Sequence, residues 1–418
     1  MKRTVLVMVM SSKKQTAPTI RFKGHTDDWE QRTLSTLMDF SNGINAPKEN
    51  YGKGRKMISV MDILSKEPIL YDNIRNSVEV DSKTENNNKV EYGDIVFVRS
   101  SEVRNEVGWA KAYLENEFAL YSGFTIRGKK MFDFDAFFVE LSINGKNREQ
   151  IESKAGGSTR FNVSQSILKS VGISEPSLVE QVKIGNFFKQ LDDTIALHQR
   201  QLNKYNDLKL TMLQKMFPNN DERAPQVRFG GFTGDWERRK FGDLWRKSSE
   251  RNNDLKYSSQ NVLSVAQMKL NPVERNSTDD YMKTYNVLYY GDIAFEGNKS
   301  KNYSFGRFVL NDVQDGIVSH VFISFRPKVE MNIDFMKIYI NNENVMKHHL
   351  VKATTKTLMM TTLNVHDMNK QFLVIPNIDE QAKIGMFFKK LDDNIALHQK
   401  KIHNYNCLKK AFLQGMFV

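Results

Sequence analysis

Residues 180–217 and 380–417 of this 418-residue chain are two copies of one segment. EQVKIGNFFKQLDDTIALHQRQLNKYNDLKLTMLQKMF aligns without gaps on EQAKIGMFFKKLDDNIALHQKKIHNYNCLKKAFLQGMF at an offset of 200, with 24 of 38 positions identical. A second pair, Ala17 to Glu30 (APTIRFKGHTDDWE) and Ala224 to Glu237 (APQVRFGGFTGDWE), recurs at an offset of 207. A third is the Gly-Asp-Ile run at Gly93 to Phe97 and Gly291 to Phe295. Self-similarity at one period overrides any element-by-element reading. The chain is therefore two cycles, each a globular block followed by a long segment. The long segments match far better than the blocks, which describes a duplicated scaffold whose two blocks have diverged and can recognise different things.

Within the first long segment the apolar positions advance by alternating fours and threes: Ile184, Phe188, Leu191, Ile195, His198, Leu202, Tyr205, Lys209, Met212, Met216. The second repeats them as Ile384, Phe388, Leu391, Ile395, His398, Ile402, Tyr405, Lys409, Phe412, Met416. This is a heptad seam, interrupted in both copies at the same His and Lys. A second apolar strip, Phe187, Leu197, Leu208 and Leu213 with Phe387, Leu397, Leu408 and Leu413, is left for another helix or a docking partner. Pro176 and Pro376 mark where each helix can begin, and Pro218 follows the first. At 1.5 Å per residue, 38 residues make a rod of roughly 57 Å. Two rods in one chain pack most economically on each other, and an antiparallel pair would carry one block at each end. His198 and His398 could meet across such a pair and set its register, or flank the interface partly exposed. Asp192-Asp193 and Asp392-Asp393 point about 100° apart on a helix, so they contact a partner or water rather than share a proton.

The blocks have the short apolar runs and turn residues of mixed α/β domains biased to strands: Asp94 to Arg99, Asp292 to Glu296, Ile317 to Phe325 and Phe372 to Ile375 as strands, Asn86 to Asn88 and Gly156 to Thr159 as loops. The expected class is α+β, with recognition blocks at 1–178 and 219–378 and helices at 179–218 and 379–418. With 40% hydrophobic residues there is enough apolar matter for two cores. The net charge of +12 points to a polyanionic partner, and it divides over the four segments in chain order as +3, +2, +4 and +3. Any binding face is thus a local patch. The single cysteine, Cys407, allows no internal disulfide and fits a reducing cytoplasm. Val5 to Met10 is too short for a signal segment, and no run of about 18 apolar residues crosses a membrane.

Motifs for chemistry are sparse. DNA methylation needs an Asn/Asp-Pro-Pro-aromatic loop, and the chain has no Pro-Pro. Gly123 to Lys130 (GFTIRGKK) resembles a phosphate-binding loop, but Lys130 replaces the metal-binding hydroxyl, and a basic turn between strands explains it better. Glu152-Ser153-Lys154 mimics a nuclease tripeptide that recurs too often here to be specific. His348-His349 read as solvated, and His25 and His366 as loop residues, with no metal spacing. No catalytic, cofactor or metal residue is assigned. What remains are basic, small-residue loops suited to phosphates and base edges. In the first block they supply Lys53, Arg55 and Lys56, then Arg99, Ser100, Arg104 and Asn105 after the Gly-Asp-Ile strand, then Lys154 and Arg160. In the second they supply Glu296, Asn298, Lys299, Lys301 and Asn302 after its Gly-Asp-Ile strand, with Lys352 and Lys356.

Val227-Arg228-Phe229 with Asp235-Trp236-Glu237, the Gly-Asp-Ile strand, and the closing Glu-Gln-x-Lys-Ile-Gly, Leu-Asp-Asp and Ile pattern all occur twice and in order. Over essentially its whole length the chain thereby resembles the specificity subunit of type I restriction-modification enzymes. The first block departs from the second in having Lys23-Gly24-His25 where the other has Gly230-Gly231-Phe232. The resemblance implies two target recognition domains held apart by an antiparallel pair of conserved helices, on which two methyltransferase subunits dock. Double-stranded DNA with a bipartite target would be the ligand; a rod of roughly 57 Å spans about 17 base pairs, and each block would read a few bases on one side of an unread spacer. It also implies that the chain catalyses nothing itself: modification subunits bring S-adenosylmethionine, and restriction subunits bring ATP, Mg and the nuclease. The alternative from the residues alone is an orphan bivalent DNA-binding or scaffold protein without methylase partners.

Overall fold

The computed structural model describes residues 6–8, 17–219, 222–272, 279–298, 303–356 and 360–418. The chain divides into two compact units, Met1–Leu197 with Lys401–Val418, and His198–Lys400. Each unit therefore takes the start of one long helix and the end of the other, so neither block is completed by its own repeat alone.

Both units are built on a four-stranded antiparallel sheet of one topology. In the first unit the order is Met38–Asn42, Thr125–Lys130, Ile95–Val98, Ala110–Ala112. In the second it is Trp245–Ser248, Ile323–Pro327, Ile293–Glu296, Arg307–Leu310. The Gly-Asp-Ile run thus opens an inner, fully buried strand in each. Its wording follows from the turn before it. Gly93 and Gly291 sit at φ +91° and +88°, a region that favours glycine. Asp94 accepts the N–H of Glu91 and of Lys130, both at 2.9 Å, while Asp292 accepts that of Tyr289 at 3.0 Å. Burial pushes both carboxyls above the ordinary range. These aspartates hold a turn and are sealed from any ligand.

A two-stranded ribbon leads into each long helix, Glu30–Thr33 with Gly172–Glu175 and Glu237–Lys240 with Phe372–Ile375. The apolar run expected as one strand at 317–325 is two, Gly316–Val318 and Ile323–Pro327, because Ser319 to Phe322 turn the chain between them. Asn86 and Asn87 end a short helix, Ser82–Asn87, that Asp81 caps. Gly123-Phe124 form a turn and Thr125–Lys130 a strand, so the loop resembling a phosphate site has no helix after it.

The long helices span Leu178–Lys215 and Ile378–Gly415, 38 residues each. Their first turns explain the repeated Glu-Gln. Glu180 takes Arg21 in a bidentate pair at 2.9 and 2.7 Å, and Glu380 takes Arg228 at 2.6 and 2.7 Å. Gln181 accepts the N–H of Asp135 and donates to the Pro176 carbonyl, and Gln381 does the same with Asn332 and Pro376. The Arg-Phe at the head of each block and the Glu-Gln at the head of each helix are one docking joint, made twice.

Within each unit the two helical segments run antiparallel. In the first, Phe187 meets Phe412 at 4.9 Å and Asp192 pairs with Lys409 at 2.6 Å. In the second, His198 meets His398, Lys209 pairs with Asp392 at 2.5 Å, and Phe217 packs at 5.9 Å from Phe388. The seam residues Ile184, Phe188, Leu191, Leu202, Ile384, Phe388 and Leu391 are buried, while Ile195, Ile395, Ile402, Tyr205 and Tyr405 are half-buried. Asp192 and Asp392 therefore pair with the lysines that interrupt the seam while staying partly exposed to water. The cores are closed by exchange. Phe417, at the end of the second helix, stacks on Phe138 at 5.2 Å and on the edge of Trp29 in the first unit. Phe217, at the end of the first helix, lies 6.0 Å from Phe335 and 6.4 Å from Trp236 in the second unit. The repeated Asp-Trp and Met-Phe are thus the two halves of one aromatic cluster.

Candidate nucleic-acid interface

Directly after the Gly-Asp-Ile strand of the first unit, Ser100–Ser101 pairs antiparallel with Phe161–Asn162, with Asn162 opposite Ser100. The Ser100 hydroxyl bonds the Asn162 side chain, and the Val163 N–H donates to the Arg99 carbonyl at 3.0 Å. The loop 156–162 is closed at its base by Gly156 and Asn162, bonded N–H to carbonyl in both directions at 3.2 and 2.8 Å. Residues 157–160 form its exposed tip.

This ribbon gathers most of the residues expected to touch DNA in the first block. Arg99 donates to the Gly123 carbonyl at 3.2 Å, and Arg104 to that of Glu152 at 3.2 Å while its guanidinium lies 5.7 Å from the Phe161 ring. Arg160 pairs with Glu102 at 3.5 Å and covers one side of Phe124 at 5.8 Å. Asn105 is exposed, its carbonyl accepting from Arg148, and Lys154 donates to the Ser170 hydroxyl at 3.0 Å. These links leave the guanidinium edges and amides at a basic surface that backbone bonds hold in place.

Lys53, Arg55 and Lys56 form a separate cluster. The expected loop at 51–56 is part of a strand, Tyr51–Ile58, paired with Ser77–Val78 and Leu120–Tyr121. Lys53 pairs with Glu79 at 2.7 Å, Arg55 with Glu117 at 2.9 Å, and Lys56 donates to the Ile74 carbonyl at 2.6 Å. Arg55 and Lys89 both lie against the Phe118 ring, at 4.2 and 4.5 Å. Lys53 and Arg55 are thus each paired with a carboxylate of the same unit and Lys56 with a backbone carbonyl, in a cluster separate from the ribbon.

The second unit makes the equivalent joint. Asn298 bridges to Met360, and the Thr361 N–H donates to the Gly297 carbonyl at 2.9 Å, so the segment after the strand is zipped to the hairpin Thr354–Lys356 with Thr361–Leu363. Asn298 is exposed, and Lys356 lies 3.7 Å from the centre of the Phe305 ring. Glu296, expected at the DNA surface, is instead buried and holds Arg307 at 2.7 Å, so it cannot reach a base. Lys352 is exposed on the helix Glu343–Ala353 and lines an open cleft with Lys347 and His348. Lys299, Lys301 and Asn302 lie outside the described residues. His349, expected to be solvated, is buried, and desolvation pushes its pKa down to about 3.

The second apolar strip is half used within the units. Phe187 packs edge-on to Phe22 and Phe412, and Leu413 joins the same core. Phe387 packs on Phe229, and Leu213 joins the other core. These four are withdrawn from any docking surface because their own blocks cover them. Leu197, Leu208, Leu397 and Leu408 remain 39 to 47% exposed.

Sequence reasoning missed Phe124, Phe161 and Phe305, the aromatic rings beneath or beside the cations. Aromatic residues are assigned to cores by default; the available signal was that each stands in a polar, turn-rich stretch. Among the described residues no group of three or more His, Cys, Asp or Glu is placed to hold a metal ion, and no helix is long and apolar enough to cross a membrane.

A family model described as the type I restriction modification DNA specificity domain matches the chain twice, over residues 26–206 and 233–404. Among solved structures, the type I restriction-modification S subunit from M. genitalium is similar at a TM-score of 0.57 and 14% identity, covering 95% of this chain and 97% of that one. The HsdS subunit from Thermoanaerobacter tengcongensis is similar at a TM-score of 0.47 and 15% identity, covering 93% of this chain and 96% of the other.

Proposed function

Since the chain belongs to the type I restriction-modification DNA specificity family, we propose that it selects the DNA sequence for a methyltransferase and restriction complex, and that its target is bipartite. The block at 1–178 reads one half-site and the block at 219–378 reads the other. The helices at 179–218 and 379–418 space the halves and dock two modification subunits. The observation that carries this reading is the repeated joint after the Gly-Asp-Ile strand. Framework residues such as Arg21 with Glu180 and Arg228 with Glu380 are the same in both units, while the surfaces at that joint differ in residue and charge. A constant frame with two variable surfaces suits an unread spacer between two different half-sites. Leu197, Leu208, Leu397 and Leu408 support docking, being apolar side chains that stay exposed at matching positions of both helices.

In this reading the chain is not catalytic. S-adenosylmethionine is bound by the modification subunits, and ATP with Mg by the restriction subunits, in the cytoplasm. The test is to co-express the chain with a type I methyltransferase subunit from the same genome and map the methylated positions. The expected result is a two-part motif with an unread gap, and no methyl transfer by the chain alone. Methylation without a partner, or a contiguous motif, would overturn the proposal.

A further inference from the structure

Phe124 occupies a place where apolar residues are rare. It stands with Gly123 at the centre of a tight turn, closed by the Thr125 N–H donating to the Ser122 carbonyl at 2.9 Å. Turn tips are usually Gly, Asn, Asp or Ser, yet this ring is 53% exposed. The turn is held from three sides. The Gly123 N–H donates to the Ile44 carbonyl at 2.8 Å, the Arg99 N–H donates to the Phe124 carbonyl at 2.9 Å, and the Thr125 hydroxyl donates to Ser122 at 2.7 Å. Before the ring, a Cβ at Gly123 would lie 1.9 Å from Asn45 Oδ1, so a larger residue there would have to displace that side chain. The ring is thus carried on a rigid mount, and Arg160 covers one side of it.

The mount belongs to the ribbon described above, and the occupant of that surface is taken from the proposed function, on which this inference rests. A base pair in an intact duplex offers edges rather than faces. In the major groove those edges are hydrogen-bonding groups, with one apolar exception, the C5-methyl of thymine. A single exposed apolar ring amid guanidinium, hydroxyl and amide groups is complementary to that pattern. We infer that Phe124 is a specificity-determining residue of the first unit, contacting the methyl group of a thymine beside the base pair that Arg160 reaches. Arg160 would exchange its long, solvent-exposed 3.5 Å contact with Glu102 for a neighbouring guanine while its other face rests on the ring.

The experiment uses the full chain in complex with its modification subunit and a duplex carrying the mapped target. Exchanging residues 219–378 for a relative's block identifies which half-site belongs to the first unit. Each thymine of that half-site, on either strand, is then replaced in turn by deoxyuridine, which removes only the methyl group. One replacement is expected to weaken binding by about fourfold, the effect of one buried methyl. Phe124→Ala should bind the thymine and deoxyuridine probes equally, while Phe124→Leu, which keeps an apolar contact, should retain part of the discrimination. The inference fails if the unaltered complex is indifferent to every replacement, if the half-site holds no A·T pair, or if Phe124→Ala weakens both probes by the same factor while the discrimination persists. A complex that prefers no duplex at all would instead overturn the proposed function beneath it.

Discussion

Glu140 lies in the core of the first unit, with one carboxylate oxygen accepting the Ala112 N–H at 2.8 Å. Burial is the main cause that raises its pKa to about 7, opposed by Lys111. Between the ordinary glutamate value and about 7 the folded unit holds a proton that the unfolded chain releases. The stabilisation is therefore full in acid and is lost as the pH rises to about 7. Glu140→Gln keeps an acceptor for Ala112 and cannot ionise, so it should stabilise the first unit at pH 8 by on the order of 2 kcal/mol, with the gain vanishing near pH 5. Urea midpoints at the two pH values measure this, and a gain of equal size at both would refute it. His349 acts in the opposite sense in the second unit. Held neutral by burial, it favours the fold above about pH 6.5, and that contribution falls away as the medium is acidified. Neither group was legible in the sequence, because Glu140 sits mid-helix like a surface residue and His349 sits in a Lys-rich stretch. Burial of a single polar side chain is decided by what the rest of the fold places over it.

The two long helices were the most legible elements, since a seam of alternating fours and threes admits little else. Their partners were less so. Asp192 and Asp392 stand on the same helix turn in each copy, and only the antiparallel packing within each unit brings Lys409 to one and Lys209 to the other. Asp192→Lys should destabilise the first unit by about 1 kcal/mol, and the exchange Asp192→Lys with Lys409→Asp should recover most of it. A double-mutant cycle with no coupling would refute that pairing. Phe187, Phe387, Leu213 and Leu413 were misjudged because a periodic strip does not reveal whether a block or another subunit covers it. The exposed remainder supports a sharper prediction: Leu208→Glu with Leu408→Glu should abolish co-purification of the modification subunit while leaving the circular dichroism of the chain unchanged. An intact complex would mean that the docking surface lies elsewhere.

For the whole molecule, the duplication was visible from residue identities, and so was the division into two cycles. Which loops form the DNA-facing surface was legible only in part. Arg99, Ser100, Arg104, Lys154 and Arg160 come together, whereas Lys53, Arg55 and Glu296 are engaged within their own units. Charge and small residues mark a loop; strand pairing decides which loops meet. Exchanging residues 219–378 for the block of a relative should change one half of the mapped motif and leave the other intact, and a change in both halves would contradict the division of labour. The exchange of core residues also bears on how the chain is made. Phe417 is 3% exposed inside the unit that begins near the amino terminus. As the chain leaves the ribosome at about 5 to 20 residues per second, the first block must wait some 10 to 40 seconds after residue 218 for its last core aromatic. During that interval the apolar site around Trp29 and Phe138 has no Phe417 to fill it, so the core of the first block stays incomplete until residue 417 has been made.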